Sequence, residues 1–289
     1  MKVFQKLVIP YVIFMGLFII LPMLLITLYA FSKPGNDIVT FHFTFSNFVR
    51  FLEPVFLKIL WKSLQIALIT TIVTLLIGYP IAYCVSKMRE NIQMLVILLI
   101  TMPMWINMLI RTYAWISILG NNGLLNSLLN QVGLGSADIL YTDGAVILGM
   151  VYNYLPFMII SIHAQLAKMD NQLIQASYDL GANRFLTFWK IIFPLSIPGV
   201  LTGITLVFLP AVSSFVIPKL LGGGNYMLIG NLIENQFGTA GNWNFGSAIS
   251  MIMAFVIILT MSLTKKMDRQ QEESSKNTKL SRGGNYGIS

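Results

Sequence analysis

Six long, mainly apolar stretches of this 289-residue sequence contain no Asp, Glu, Lys or Arg. They are residues 7–32, 63–86, 93–110, 144–167, 191–218 and 245–264. A helix needs about 20 apolar residues, with a range of roughly 17–25, to span the hydrocarbon core of a bilayer, so each stretch is long enough. Because lipid offers the backbone no hydrogen-bond partners, only helices and closed barrels are stable there. The sequence therefore predicts an all-α membrane protein with six transmembrane helices.

The distribution of charge supports a membrane location and indicates an orientation. Only 10% of the residues are charged, whereas soluble domains carry about 25%. With the N-terminus inside, thirteen of the nineteen Lys and Arg residues fall on the cytoplasmic side, which is the bias of the positive-inside rule. We therefore expect a multi-pass protein of the inner (cytoplasmic) membrane with both termini in the cytoplasm. The net charge of +8 is interpreted as topology and lipid contact, with no nucleic acid bound.

The sequence lacks the groups with which a membrane protein drives transport by itself. None of the six stretches contains an Asp or Glu of the kind that relays protons in carriers. We interpret His163 as a helix-packing or interfacial residue. No Gly-Lys pair occurs anywhere, so the phosphate-binding loop of an ATPase is absent. The chain is therefore predicted not to be an enzyme, to need no cofactor or metal, and to depend on a partner for energy.

A charged loop at about residues 168–195 separates the fourth stretch from the fifth. Asp170 is a suitable N-cap for a short helix, and Gly181 ends that helix because glycine best tolerates the left-handed position that follows one. Asn183 is placed to cap a second helix, and Pro194 marks where that helix gives way to the fifth span. A helix of about ten residues is marginal alone in water, so this loop needs a surface to dock against. One face of the first helix is predicted to carry Leu173, Ile174, Ser177 and Leu180.

This loop resembles the signature cytoplasmic loop of ABC-importer permeases, which reads Glu-Ala-Ala, three residues, Gly, nine residues, Ile, one residue, Leu-Pro. The spacing is complete here, with Gln, Ser and Phe in place of the first Glu, the second Ala and the Leu. The resemblance implies a coupling loop that inserts into a cleft of the ATP-hydrolysing subunit and transmits its closure to the membrane helices. Its positions in this sequence are Gln175, Ala176, Ser177, Asp179, Gly181, Ala182, Ile191 and Pro194.

Other segments are similar to the permeases of spermidine/putrescine importers: residues 62–87, 102–115, 152–170 and 222–237. This resemblance, over about residues 5–265, implies a polyamine permease. Its partners would be two copies of an ABC ATPase, a second homologous permease and an extracytoplasmic polyamine-binding protein. Parts of the same motifs occur in permeases for ferric iron, phosphonates or opines, so these solutes are the alternative. A membrane enzyme or an autonomous channel is the alternative from a different class.

A flexible polycation is bound by aromatic faces and by carboxylates. The candidate pathway residues are Trp105, Asn107, Tyr113, Phe215 and Glu234. Arg111 would repel a polycation, and we expect it to pair internally, to reach the membrane surface or to contact the binding protein. We assign residues 1–265 to the transmembrane domain. Residues 266–289 are expected to form a polar, largely disordered cytoplasmic tail.

Overall fold

The computed structural model describes residues 10–11, 14–33, 42–224 and 226–283, and within them the predicted all-α fold is confirmed. Short π-helical segments occupy Gly16–Ile20 and Phe188–Ile192, and a 3₁₀ turn occupies Met102–Trp105. The α-helices of this described part are α1 Leu21–Ala30, α2 Ser46–Phe51, α3 Pro54–Ser86, α4 Glu90–Thr101, α5 Met108–Leu119, α6 Leu124–Gln131, α7 Asp143–Ala167, α8 Asn171–Asp179, α9 Arg184–Thr187, α10 Phe193–Ser213, α11 Val216–Leu221, α12 Ile229–Phe237 and α13 Trp243–Gly283.

Four helical stretches of the described residues are long and apolar enough to cross a membrane: Pro54–Ser86, Asp143–Ala167, Arg184–Ser213 and Trp243–Ser262. The pair Glu90–Trp105 and Met108–Gln131 adds a fifth if it counts as one broken span. The first predicted stretch appears as a shorter apolar helix, Gly16–Ala30. The count of six spans and the cytoplasmic location of both termini therefore remain predictions.

The third predicted stretch is not one straight helix, which corrects the sequence interpretation. The chain bends by 90° between Trp105 and Met108. Pro103 lies in the 3₁₀ turn that ends α4, and Ile106 has an extended backbone. The side-chain oxygen of Asn107 then accepts a hydrogen bond from the Leu109 amide at 2.8 Å and starts α5. A proline followed by a capping asparagine ends one helix and begins the next.

Beyond Lys265, α13 continues as a helix as far as Gly283, which differs from the disorder expected there, while residues 284–289 of the predicted tail lie outside the described residues. Residues 247–282 include neither Gly nor Pro and are rich in Lys, Arg, Gln and Glu towards their end. These residues favour helix even where no hydrophobic face is buried. The low hydrophobicity of this segment identified it as polar but did not predict that its backbone is helical.

The chain divides into two compact units, of which the first comprises Met1–Ser63 and Met227–Ile258. Two buried asparagines there bind the carbonyl groups at the end of α1. Asn47 Nδ2 donates to Ala30 O at 2.9 Å, and Asn244 Nδ2 donates to Tyr29 O at 3.1 Å. The last carbonyls of a helix have no partner within the helix, so these side chains stabilise its end.

The second unit, Leu64–Tyr226 with Leu259–Ser289, has its main helix pair in α7 and α10. Glycines at two positions one helical turn apart allow the two backbones to approach closely. A Cβ atom at Gly199 would lie 2.8 Å from Ser161 O, and one at Gly203 would lie 2.6 Å from Met158 Sδ. This pair positions the loop between α7 and α10, which contains the candidate site.

Replacing Gly199 by alanine is expected to destabilise the protein, although alanine favours helix more than glycine does. The added methyl group meets the backbone of α7, and overpacking of this kind costs about 1–3 kcal/mol. The matched control is Gly144→Ala in α7, where the new Cβ makes an ordinary 3.5 Å contact with Thr142. The measurement is the thermal unfolding midpoint of each purified variant in detergent. Equal midpoints for the two variants would contradict the packing described for α7 and α10.

Candidate functional site

The loop between α7 and α10 forms the predicted helix, glycine turn and second helix. Asp170 caps α8, its side-chain oxygen accepting from the Gln172 amide at 2.9 Å. Gly181 follows the helix with φ +84°, and its amide donates to Tyr178 O at 2.9 Å. The Ala182 amide donates to Ser177 O at 3.1 Å. These two bonds with a left-handed glycine form a Schellman motif, so the turn has a defined shape.

The second helix begins as predicted but does not end as predicted. The side-chain oxygen of Asn183 accepts from the Leu186 amide at 2.8 Å and caps α9. Instead of giving way at Pro194, α9 continues through the π-helical segment Phe188–Ile192 into α10, giving one stretch, Arg184–Ser213. A proline cannot donate to the carbonyl four residues earlier and clashes with it, and a π-helical turn accommodates such a disruption without ending a helix. The docking loop is therefore continuous with a membrane-spanning helix.

The sequence predicted one face for Leu173, Ile174, Ser177 and Leu180, and the structure divides these residues between two faces. Ile174 and Ser177 are buried against the rest of the protein, whereas Leu173 is exposed and Leu180 is 88% exposed. Ala176 is also exposed. A helical spacing of three and four residues matches both arrangements, so the sequence alone did not separate them. The uncovered apolar side chains on this side of the loop include Leu173 and Ala176 of α8 and Leu180, which is its C-cap residue.

The remaining predicted loop residues differ in exposure. The polar edge of α8 is formed by Gln175 and Asp179, which are both exposed. Gly181 and Pro194 are exposed, and Ala182 and Ile191 are half-buried. The first arm of the loop is α8, and the second arm is α9 with the π-helical segment Phe188–Ile192. In the second arm, Phe185 and Trp189 are exposed aromatic residues whose rings lie edge to face with centroids 6.3 Å apart. The loop therefore presents apolar and aromatic side chains that this chain does not cover.

A residue that sequence reasoning missed is Thr187, which is buried in α9 next to α8. Its hydroxyl oxygen lies 2.7 Å from Ser177 Oγ. A threonine amid Phe, Leu and Trp carries no distinctive signal, since only the turn at Gly181 brings it beside Ser177. The hydrogen bond joins the two arms of the loop.

A cleft of about 280 Å³ lies beside the start of α8. Its polar lining includes Lys87, Glu90, Gln93 and Asn171. Gln93 Nε2 donates to Met88 O at 2.8 Å, and Gln93 Oε1 lies 3.2 Å from His163 Nε2. An amide oxygen only accepts, so His163 donates. This contact agrees with the interpretation of His163 as a helix-packing residue.

The candidate pathway residues of the second unit lie in two segments of the chain, the α4–α5 region and the start of α11. Trp105 and Asn107 flank the bend between α4 and α5, and the side chain of Trp105 is 79% exposed. Tyr113, further along α5, and Phe215, the N-cap of α11, are exposed. Asn107 has a structural contact as the cap of α5. Glu234 belongs to the first unit, where it is half-buried on α12.

Within the described part of the chain, Arg111 on α5 does not form the internal pair that was one of the three expectations for it. Its Nε and Nη1 atoms are buried and have no hydrogen-bond partner among the described residues. In the same part of the chain, no group of three or more His, Cys, Asp or Glu side chains is arranged to hold a metal ion.

The loop that follows α11 contains a tyrosine with a strongly perturbed hydroxyl group. Burial raises the pKa of Tyr226 far above its ordinary value, and the negative charge of Asp143 acts in the same direction. A tyrosine with a raised pKa stays neutral at physiological pH. Tyr226 is therefore a neutral hydroxyl that is under the influence of a carboxylate at the start of α7.

Comparison with known proteins identifies the family. Residues 8–273 match the family described as "Binding-protein-dependent transport system inner membrane component". The spermidine/putrescine transport system permease protein PotB of Haemophilus influenzae is 39% identical over 278 residues, which cover 93% of this chain and 97% of that protein. PotB of Escherichia coli K12 is 38% identical over 248 residues, covering 85% of this chain and 90% of that protein.

A solved structure shares the fold at low sequence identity. It is a bacterial alginate ABC transporter in complex with a periplasmic protein bound to an alginate pentasaccharide, with a TM-score of 0.78 and 16% identity over 93% of this chain and 94% of that one. A membrane permease of this kind is not itself an enzyme. The chain, with its helical spans and its helix–glycine–helix loop, belongs to the family of inner membrane components of binding-protein-dependent transport systems.

Proposed function

We propose that this protein is a permease subunit of an ATP-driven importer for polyamines such as spermidine and putrescine. It forms part of the translocation pathway in the inner membrane. It works with two copies of an ABC ATPase, a second homologous permease and an extracytoplasmic polyamine-binding protein. The observation that carries the proposal is the loop from Asp170 to Thr187, a helical element with an uncovered apolar side that runs directly into a membrane span.

The coupling mechanism follows from this continuity. The α8 helix docks in a cleft of the ATPase through Leu173, Ala176 and Leu180, since exposed apolar side chains are best covered by a partner. ATP binding closes the ATPase pair and draws the coupling loops of the two permeases together. Because α9 and α10 are one helical stretch, a displaced loop moves a span, and the pathway opens outward by rigid-body motion. ATP hydrolysis by the partner returns the complex to its inward-open state.

The solute is assigned from the relatives and from the chemistry of the candidate pathway. The relatives named above are permeases of spermidine/putrescine transport systems. Trp105 and Tyr113 offer exposed aromatic faces, to which ammonium groups are attracted. Glu234 supplies a carboxylate from the first unit. Ferric iron, phosphonate or opine remains the alternative solute for the same architecture, and an enzyme or autonomous channel remains the alternative of a different class.

Removing either recognition group is expected to impair polyamine uptake without disturbing assembly. Glu234→Gln removes a carboxylate, and Trp105→Ala removes a cation–π face, each contributing about 0.5–3 kcal/mol to binding an ammonium group. The apparent affinity for spermidine should fall between a few-fold and about a hundredfold. The measurement is concentration-dependent uptake of labelled spermidine by the complete complex in vesicles.

The matched controls are Glu53→Gln and Trp61→Ala, which change an exposed acid and an exposed tryptophan that are not pathway candidates. Uptake by these two variants should equal that of the wild type. If Glu234→Gln and Trp105→Ala behave like their controls, the assigned pathway residues are wrong, while the fold and the coupling loop are unaffected.

The function itself is tested by competition in the complete complex. Spermidine uptake should require ATP and the ATPase subunit, and unlabelled putrescine should compete while ferric citrate and an aminophosphonate should not. If only ferric citrate or the aminophosphonate competes, the protein transports the alternative solute and not a polyamine. Uptake that persists in membranes without the ATPase would favour an autonomous channel.

A further inference from the structure

The two arms of the coupling loop are joined by a hydrogen bond between side chains. Ser177 on α8 and Thr187 on α9 are 5% and 1% exposed, and their hydroxyl oxygens are 2.7 Å apart. Thr187 Oγ1 also donates to Asn183 O at 3.0 Å. A hydroxyl has a single proton, so in the bond between the two side chains Ser177 donates and Thr187 accepts. An alanine in place of Ser177 has no atom with which to make this bond.

The residue after Thr187 extends the connection into the membrane-spanning helices. The ring of Phe188 lies edge to face with Tyr79 and Tyr83 of α3, at centroid distances of 5.8 and 5.5 Å. The Tyr79 hydroxyl lies 2.8 Å from Ser196 Oγ on α10. Since Ser196 Oγ donates its proton to Phe193 O, Tyr79 is the donor to Ser196. These contacts, all buried or half-buried within the second unit, connect α8 through Thr187 and Phe188 to α3 and α10.

We propose that Ser177 and Thr187 are positioning residues that transmit the displacement of α8 to the membrane spans, an inference that rests on the proposed function. Besides this bond, α8 is connected to the second arm by the turn at Gly181, and Ile174 of α8 is buried. A turn around a glycine bends more easily than a helix does. The bond fixes the angle between the arms, so that α8 and the Arg184–Ser213 stretch move as one body.

Ser177→Ala and Thr187→Val test this role, because each change removes one hydroxyl and leaves an apolar side chain of similar size. We expect the ATPase to copurify with each variant at the wild-type level, since neither side chain is on the exposed side of α8. Solute transported per ATP hydrolysed should fall by about two- to tenfold, the range that corresponds to one lost hydrogen bond. The double variant should be no worse than Thr187→Val alone, because that change already removes the bond between the arms together with the bond from Thr187 to Asn183 O.

Two further variants separate transmission from a general effect on the fold. Thr202→Val in α10 removes an exposed hydroxyl that bonds only within its own helix, to Pro198 O at 2.9 Å, and it should leave the ratio of transport to ATP hydrolysis unchanged. The exchanged pair, Ser177→Thr with Thr187→Ser, keeps both hydroxyls and the total volume and should restore most of the ratio. If Ser177→Ala reduces the amount of inserted protein, the exchanged pair and Thr187→Val decide the result.

An unchanged ratio in Ser177→Ala and Thr187→Val, in a complex whose wild type imports solute, would overturn this inference and leave the proposed function intact. A loss in Thr187→Val that is matched by Thr202→Val, or a double variant in which the losses add, would also overturn it. A wild-type complex that couples no transport to ATP hydrolysis would overturn the proposed function, and the inference with it.

Discussion

Replacing Gly181 by valine is expected to weaken docking of the ATPase by roughly five- to hundredfold and to abolish most transport while the protein remains inserted in the membrane. Gly181 has φ +84°, and a Cβ atom there would meet nothing within 4 Å. The penalty therefore comes from the backbone, not from crowding. A β-branched residue in the left-handed region costs about 1–3 kcal/mol, and every 1.4 kcal/mol corresponds to about tenfold in affinity. The measurement is copurification of the ATPase together with ATP-dependent uptake.

Asparagine is the matched control at this position, because it enters the left-handed region more readily than other non-glycine residues. Gly181→Asn should therefore retain most docking, and Gly181→Ala should fall between asparagine and valine. If Gly181→Val binds the ATPase as well as the wild type does, the turn is not part of the docking element and the assignment of the loop is wrong.

Ala176→Asp is expected to have the other large effect, a near-complete loss of coupled transport. Ala176 lies on the exposed apolar side of α8 with Leu173 and Leu180. A carboxylate placed there must lose its hydration when the partner covers the helix, which costs several kcal/mol for an unpaired charge. Binding of the ATPase to detergent-solubilised complexes and uptake in vesicles are the two measurements.

The neighbouring residue provides the controls, since Gln175 lies on the polar edge of the same helix. Gln175→Ala should reduce transport far less than Ala176→Asp, because it removes no charge and adds none. Gln175→Asp introduces the same charge as Ala176→Asp at a position about 100° away around the helix, and it should also be tolerated. Greater damage from the Gln175 variants than from Ala176→Asp would mean that the polar edge is the docking surface.

The parts of the fold that could be predicted from the sequence depend on local chemistry. The absence of charge over long stretches requires helices in a membrane, whatever the packing. The caps at Asp170 and Asn183 and the left-handed Gly181 follow from properties of single residues, and the structure contains all three. The two caps and the glycine turn are each decided within four or five residues.

Features that depend on contacts between distant residues could not be predicted. The spacing of Leu173, Ile174 and Leu180 is helical, but which of them faces inward is decided by the packing of α8. The π-helical segment before Pro194 lets the second arm continue into a span where a proline alone indicates a break. The bond between Ser177 and Thr187 requires the turn at Gly181 to be formed first. The bend at Trp105 lies inside an apolar stretch that hydropathy does not distinguish from a straight span.

Site-directed cross-linking tests the docking of the coupling loop on the ATPase most directly. Cys84 is the only cysteine in the sequence, so Cys84→Ser provides a background for Leu180→Cys, at the 88% exposed residue that caps the C-terminus of α8. Val132→Cys, at a 75% exposed position that follows α6, is the control on the predicted outer side. In membranes containing the complete complex, a thiol-directed cross-linker should join Leu180→Cys to the ATPase subunit and should not join Val132→Cys to it. An importing complex in which Leu180→Cys forms no product with the ATPase, or is labelled by an impermeant reagent added outside, would contradict this docking.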